Sequence, residues 1–524
     1  MRKTGIILAV TTALSLAAAQ PVLANTLRWG QKADINSLDP YSAPSSFTLA
    51  VLHHIYEPLV RYNQEMKIEP ALAVSWERLA PAIWRFKLRQ GVKFHNGNPF
   101  TADDVVASIK RVSHPDSPLR GNLPAYKDVR KVDDYTVEIE VNGPYPLLLN
   151  DLTNIFILDH EWMVENNALN PVDPAKGQEG YATTHANGTG PFKLERRQPD
   201  ARTDFVVNPH WWDKPQHNLT RIEFRPIASD ATRVAALLSG EIDLTSDAPL
   251  QDLERLAKTP NLTVLEGPSL RTIMLGFNHR DELHASNVKG KNPLKDVRVR
   301  QALYQAINIE QINKKVLRGK ARITGSLVAP EIPGYVEALN SRLPYDPDAA
   351  KKLLAEAGYP DGFEVGMDCP RGSYVSDEEI CLAIVSMWAR IGVKANLTVQ
   401  PRSLYDPKML GGKTDIYMLG WATLPMLDAY SLLSQLLATK AGANGASNPN
   451  GYSNPKLDAL TKQASVELDE TRRRALMAEA LQLAKDDIAM LPLHQQPLSW
   501  VVRKNVQVAQ TPDNLVRLWY ATVK

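Results

Sequence analysis

Between residues 84 and 89 apolar and charged positions alternate: Trp84, Phe86 and Leu88 interleave with Arg85, Lys87 and Arg89. A period of two predicts a strand with one buried and one wet face. Val92 and Phe94 flank Lys93 in the same manner, and Asn96-Gly97 follows, residues that tolerate a positive φ. The pattern therefore predicts a hairpin reversing there. Thr101 then precedes Ala102-Asp103-Asp104, a hydroxyl that caps free N–H groups and acids that suit the positive end of a helix. A helix is expected from Ala102. Residues 136–141 alternate again and read as a further strand.

Elsewhere the period lengthens. Residues 26–30 read as a strand, residues 37–40 as a turn leading to Ser45, Ser46 and Phe47, and residues 47–56 as a helix with Leu49, Leu52, His53 and Tyr56 on one face. The neighbouring His53 and His54 point to different helix faces, which favours core over metal. Strands surround Trp211-Trp212, and a helix over 231–238 ends at Ser239-Gly240. Residues 270–278 form an apolar strand that leaves this region.

Asp346-Pro347 opens a helix that Gly358 closes, with Ala350, Leu353, Leu354 and Ala357 on one face. A strand over 363–369 precedes Ser376-Asp377-Glu378-Glu379, which reads as a capping box. Ile380, Ile384, Met387, Trp388 and Ile391 form the stripe of the helix that follows. Strands over 393–400 and 415–421 complete two β-α-β units. A helix over 472–485 and a strand over 491–502 follow, and Trp519 and Tyr520 are expected to pack back on the first lobe.

In open α/β sheets ligands bind beyond the carboxyl ends of strands. That rule points to residues 369–374, with Arg371 as a fork for a carboxylate, and to residues 421–428, from Trp421 to Asp428.

Charge and composition narrow the function. The first 24 residues carry Arg2 and Lys3, an apolar run over 5–19 and the small-residue end Val22-Leu23-Ala24, the layout of a cleaved secretory signal. The run is shorter than the roughly 20 residues a spanning helix needs. No Cys follows it, so a lipid anchor is not expected, and a soluble periplasmic protein is. Removing this segment leaves 58 basic against 58 acidic residues, which offers nucleic-acid phosphates no basic surface. Pro (37) outnumbers Gly (28), as in a chain with many ordered loops.

The two cysteines, Cys369 and Cys381, fit either a disulfide or two buried thiols. No His or second Cys pair lies at metal-ligand spacing, so no metal is expected. Gly188 to Phe192 lacks the third glycine of a dinucleotide loop, where Lys193 stands. Gly412-Lys413-Thr414 lacks the first glycine of a phosphate loop, where Pro407 stands. HExxH and GxSxG strings are absent too. No catalytic residue and no cofactor are expected.

The run from Phe86 to Val105, F-x-L-R-x-G-V-K-F-H-N-G-x-P-F-T-A-x-D-V, closely resembles the signature of the dipeptide/oligopeptide-binding proteins, family 5 of the solute-binding proteins of ABC importers. Gly188-Thr189-Gly190-Pro191-Phe192, residues 293–302 (PLKDVRVRQA) and Gly420-Trp421 with Asp428 carry the same character. The resemblance implies an α/β fold, a two-lobed periplasmic binding protein of type II (Venus-flytrap) with an extra inserted α+β domain. Residues 25–66, 186–272 and 492–524 would form lobe I, residues 67–185 the inserted domain and residues 273–491 lobe II, with a hinge near Arg271 and Leu493. It implies a monomer that closes over a peptide or other small solute and delivers it to an ABC permease and ATPase complex. Ser45, Ser46, Phe47, Trp421, Arg371 and Asp428 are the candidate ligand contacts, Asp428 matching the aspartate that pairs with a peptide's ammonium in relatives. Relatives follow that aspartate with proline, whereas this chain has Ala429, and their arginine falls nearer Ser373 than Arg371. Relatives of this fold also carry glutathione, opines, haem, nickel complexes and sugars. A secreted hydrolase and a chaperone-like holder of unfolded segments are the competing functions.

Overall fold

The computed structural model describes residues 25–42, 45–442 and 444–524; the expected secretory signal lies outside them. In chain order, β1 (Thr26–Gln31) and α1 (Ser46–Leu52) precede β2 (Ala73–Ala80), β3 (Ile83–Leu88), α2 (Ala102–Val112), β4 (Tyr126–Asp133) and β5 (Thr136–Val141). Then come β6 (Phe192–Gln198), β7 (Arg202–Val207), β8 (Arg221–Pro226), α3 (Asp230–Ser239), β9 (Leu244–Thr245) and the long β10 (Leu262–Phe277). Next are α4 (Val297–Gln305), α5 (Pro347–Glu356), β11 (Phe363–Arg371), α6 (Asp377–Ala389), β12 (Val393–Pro401), α7 (Arg402–Leu410) and β13 (Ile416–Trp421). The last large elements are α8 (Glu470–Asp486) and β14 (Met490–Arg503).

One sheet runs through both lobes in the order β12-β11-β13-β10-β14-β9-β1-β8-β7-β6. We term the side of this sheet made by β6 to β9 and β1 the first lobe and the side made by β11 to β13 the second, with β10 and β14 between them. These two pair antiparallel along their length: Leu262 to Pro268 face Arg503 to Pro497, and Thr272 to Gly276 face Gln495 to Met490. The register shifts between Pro268 and Thr272 and again between Ile273 and Met274. Bulges bend a ladder and leave residues unpaired, and here Ser269, Leu270 and Arg271 have no ladder partner on β14. Successive residues of β13 enter different cores: Ile416 and Met418 pack with Trp388 and Leu303, while Tyr417 and Leu419 pack with Leu433 and Met477. Alternation along a strand places these cores on opposite faces of the second lobe's sheet.

A separate four-stranded antiparallel sheet, β2-β3-β5-β4, forms the inserted segment with α2 against it. Its buried face, including Phe86, Val137 and Ile139, merges with the core of the first lobe. The expected hairpin is different in detail. Strand β3 pairs with β2 and β5, and Val92 and Phe94 lie in a tight turn outside it, closed by Phe94 N–H to Asn98 O at 2.9 Å. Only a tertiary choice among edges decides which strand neighbours β3. The helix cap is as expected: Thr101 Oγ1 accepts from Asp103 N–H, and Asp104 accepts from Thr101 N–H at 2.7 Å.

The same signature serves as a joint. Asn96, Asn98 and Asn187 donate their amides to Asp159 Oδ2 at 2.8, 2.9 and 2.8 Å, and His95 N–H donates to Gly188 O at 2.8 Å. A Cβ on Gly188 would come within 2.1 Å of Ile55 O, so only glycine lets these backbones meet. Thr189 Oγ1 donates to the buried Glu57 at 2.9 Å, which also accepts from Trp211 and Trp212.

Two further local readings change. The box at Ser376 does not form, since Ser376 is left-handed (φ 54°) with no side-chain cap bond. Asp377 instead accepts from the N–H groups of Gly372, Ser373 and Tyr374, at 3.2, 2.8 and 3.0 Å, which winds the loop before α6 into a turn. Helix α7 is not announced by the pattern, because Pro407 stands inside it. Cys369 and Cys381 are joined in a disulfide with Cα atoms 6.5 Å apart, linking the end of β11 to α6.

Candidate ligand-binding site

Parallel pairing of β1 with β8 and β9, and of β11 with β12 and β13, aims the carboxyl ends of both sets at the gap between lobes. On the first lobe these ends carry Gln31, Lys32, Ser246 and Asp247, with Gln31 Nε2 donating to Ser246 Oγ at 2.5 Å. On the second they carry the 371–376 turn and the loop after Trp421. Lys32 Nζ reaches across to Gly372 O at 3.5 Å.

The loop from Trp421 to Asp428 is the main second-lobe surface in the gap. Met426 O accepts from Tyr62 Oη at 3.2 Å and from Asn150 Nδ2 at 2.7 Å, so the first lobe and the inserted segment both hold it. Beside it lies an interlobe cavity of about 30 Å³, lined by Ala50, His53, Tyr62, Leu424, Pro425 and Trp519. The lobes are thus shut at this edge. A cavity of about 250 Å³ lies between α4, the end of α8 and Leu339.

The proposed contacts are dispersed. Asp428 is buried and binds Arg473 through both oxygens, at 2.8 Å each, and accepts from Tyr430 N–H at 2.8 Å. Its carboxylate therefore already has a cation, and the N–H bond is the capping contact its position before Tyr430 allows. Arg371 is exposed and paired with Glu378 at 2.8 Å, because its place at the tip of β11 turns it to the surface. Trp421 ends β13 with its buried Nε1 unpartnered among the described residues. Ser45 caps α1 by accepting from Thr48 N–H at 3.3 Å. Ser46 is exposed and shares the helix face of Ala50 and His53, four and seven residues on. Phe47 packs toward Phe224, ring centroids 6.1 Å apart.

His53 and His54 are core side chains. His53 Nε2 bonds Asn154 Oδ1 at 3.2 Å, His54 Nδ1 bonds Val51 O at 2.9 Å and His54 Nε2 accepts from Leu518 N–H at 3.2 Å. Burial pushes their imidazoles down to about 3 and about 4. Among the described residues no group of His, Cys, Asp and Glu is placed to hold a metal ion.

Two charged groups in the gap were not among the candidate ligand contacts read from the sequence. Asp247, just past β9, accepts no hydrogen bond through its carboxylate among the described residues; burial pushes that carboxyl up, and Lys32 and then Arg233 pull it down. Arg271 donates Nη1 to Gly420 O at 2.9 Å and sits 5.8 Å from the Tyr374 ring, with no carboxylate within 4.0 Å among the described residues. Burial lowers its guanidinium, opposed by Tyr374. The available signal was a single charge inside the apolar run from Leu270 to Phe277.

Residues 67–444 match the family described as bacterial extracellular solute-binding proteins, family 5 middle. The chain is 29% identical to heme-binding protein A of Haemophilus influenzae, covering 94% of this chain and 96% of that one. It is also 29% identical to the glutathione-binding protein GsiB of Salmonella typhimurium, covering 95% and 94%. Its fold is similar to HbpA2 of Haemophilus parasuis, with a TM-score of 0.80 and 26% identity over 95% of this chain and 100% of that one. It is similar too to the ABC transporter-associated periplasmic binding protein DppA of Helicobacter pylori in complex with the peptide STSA, with a TM-score of 0.78 and 25% identity over 95% and 98%. This chain belongs to the bacterial extracellular solute-binding proteins of family 5, the solute-binding components of ABC importers.

Proposed function

We propose that the protein captures a peptide or peptide-like solute between its lobes in the periplasm, as a monomer, and presents it unchanged to a membrane permease and its ATPase. The observation that carries this reading is the two-strand crossing of β10 and β14, bulged where the lobes meet, beneath a gap lined by strand ends of both lobes. A sheet built this way supplies a hinge and a cleft together. The relatives DppA, in complex with a peptide, and GsiB, a glutathione-binding protein, support the peptide-like class. Heme-binding protein A supports the second reading, a non-peptide solute in the same cleft. The polar character of the gap, with Lys32, Ser246, Asp247, Arg271 and Ser373, favours the first, since a haem-sized apolar face calls for an apolar lining.

Residues 1–24 are proposed to be a cleaved export signal; protein recovered from a periplasmic extract should then begin at Asn25. The solute is tested by denaturing that protein and identifying what it releases by mass spectrometry. A peptide or γ-peptide supports the reading, and a porphyrin or sugar replaces it with the second. Incubation with peptides should leave them intact; cleavage products would move the protein to the hydrolases.

A further inference from the structure

We propose that Arg271 is the anchor for a carboxylate carried by the solute, so that the cleft selects molecules with a free acid group. The proposal rests on the reading of the interlobe gap as the solute site and adds which chemistry the solute must carry.

Its position is built in. Arg271 lies on β10 inside the bulged stretch that joins the lobes, where residues 269–271 have no ladder partner on β14. Its side chain runs over Gly420, at the carboxyl end of β13, toward Tyr374 in the turn after β11. A Cβ on Gly420 would come within 2.9 Å of Arg271 Cδ and 2.6 Å of Tyr374 Cε1. The glycine therefore leaves the slot in which the guanidinium lies.

Its charge lacks a counterpart. One donor goes to Gly420 O, and the rest of the fork has no protein partner among the described residues. The other arginines of this neighbourhood are each matched: Arg371 to Glu378, Arg402 to Asp406 and Arg473 to Asp428, all at 2.8 Å. In the same turn, Ser373 Oγ is buried without a partner among the described residues. A partly buried guanidinium with free donors is costly unless something supplies two acceptors in a plane, which is the shape of a carboxylate. Burial depresses its basicity, as expected for a cation with no anion beside it.

The bond to Gly420 O has a competing meaning, a structural tie between β10 and β13, and the test separates the two. Calorimetry on the wild-type protein and on Arg271→Gln, freed of bound solute, would use four probes: the dipeptide Met-Leu, its C-terminal amide, glutathione and its dimethyl ester. Wild type is expected to prefer a free acid over its neutral partner by roughly 30-fold or more. Arg271→Gln should lose that preference while melting, solute-free, where wild type does. A preference that persists in Arg271→Gln overturns the proposal, as does equal binding of acid and neutral forms by wild type, which leaves the peptide-like reading standing. A marked fall in the solute-free melting temperature assigns Arg271 the structural tie and also overturns it. Should Arg271→Gln not fold, Arg271→Lys, which keeps charge and loses the fork, should show a reduced acid preference; an unchanged one counts against the anchor. If none of the four probes binds wild type, the peptide-like reading fails, and the solute released from periplasmic protein decides the anchor. An acid found on wild type and missing from the variant supports it. A neutral or cationic molecule, an acid retained equally by both, or no released molecule overturns it.

Discussion

Asp428 and Arg473 form a two-pronged ion pair, Nη1 to Oδ2 and Nη2 to Oδ1 both at 2.8 Å, across a sequence separation of 45 residues. Both side chains are buried. The pair fastens the first turn of α8 to the end of the loop that leaves β13, and in that loop Thr423 and Leu427 are held at φ 54° and 47°. Such left-handed angles are unfavourable for branched residues and persist only where neighbours impose them.

Asp428→Asn should therefore destabilise the solute-free protein by about 3 kcal/mol, because it leaves Arg473 buried without its anion. Denaturant unfolding monitored by tryptophan fluorescence measures this. If the unfolding midpoint is unchanged and only affinity for free-amine peptides falls, the carboxylate serves an ammonium ligand instead.

Closure should depend on Asn150. Its amide donates to Met426 O at 2.7 Å and to Tyr62 Oη at 3.0 Å, tying the inserted segment to the second lobe. Asn150→Ala removes both, at roughly 1 kcal/mol per bond. Solute affinity should drop, and small-angle scattering should show a larger radius of gyration at subsaturating solute while full saturation still compacts the molecule. A radius that never changes with solute would mean that the lobes do not move.

His494 is fully buried with neither ring nitrogen bonded among the described residues, and burial, with Arg342 adding to it, pushes its imidazole down to about 3. Unfolded histidine titrates near 6.5, so the unfolded chain binds the extra proton first. The stability that neutral His494 confers is full above about pH 6.5 and is lost as pH falls toward about 3. His494→Met abolishes this linkage. Between about pH 7.5 and about pH 5 the variant should gain about 2 kcal/mol relative to wild type, read from urea midpoints at each pH. A constant difference across that range would mean that His494 titrates alike folded and unfolded.

The Cys369–Cys381 bridge closes a loop with a sequence separation of 12. Chain entropy assigns such a loop roughly 3 kcal/mol or less. Reduction, or Cys369→Ser with Cys381→Ser, should lower the melting temperature, and denatured periplasmic protein should show no titratable thiol. Two titratable thiols would refute the bridge.

Much of the fold was written in short-range patterns. The period-two runs became β3 and β5, Asp346-Pro347 and Gly358 bound a helix as their backbone preferences require, and Thr101 caps α2 through its own hydroxyl. The signature around His95 and Asn96 marked the family while giving no hint that it works as a joint, because Asp159 and Gly188 lie far along the chain. Helix α7 was hidden by Pro407, and α6 has no side-chain cap because the Asp377 carboxylate is taken up by the N–H groups of the preceding turn.

The site was the least legible part. From sequence, Asp428 and Arg371 were the natural charged contacts, and nothing local reveals that Arg473 and Glu378 claim them. Arg271 stood in plain view as a charge in an apolar strand, but its value depends on having no partner, which is a property of every other residue around it. Sequence by itself determined many of the strands and helix ends, and the family, since those follow from periodicity, backbone preference and a local signature within a few residues. Only the tertiary structure decided which charges are matched and which remain free, because ion pairing is set by distance in space and desolvation, and neither is encoded at the spacing a sequence displays.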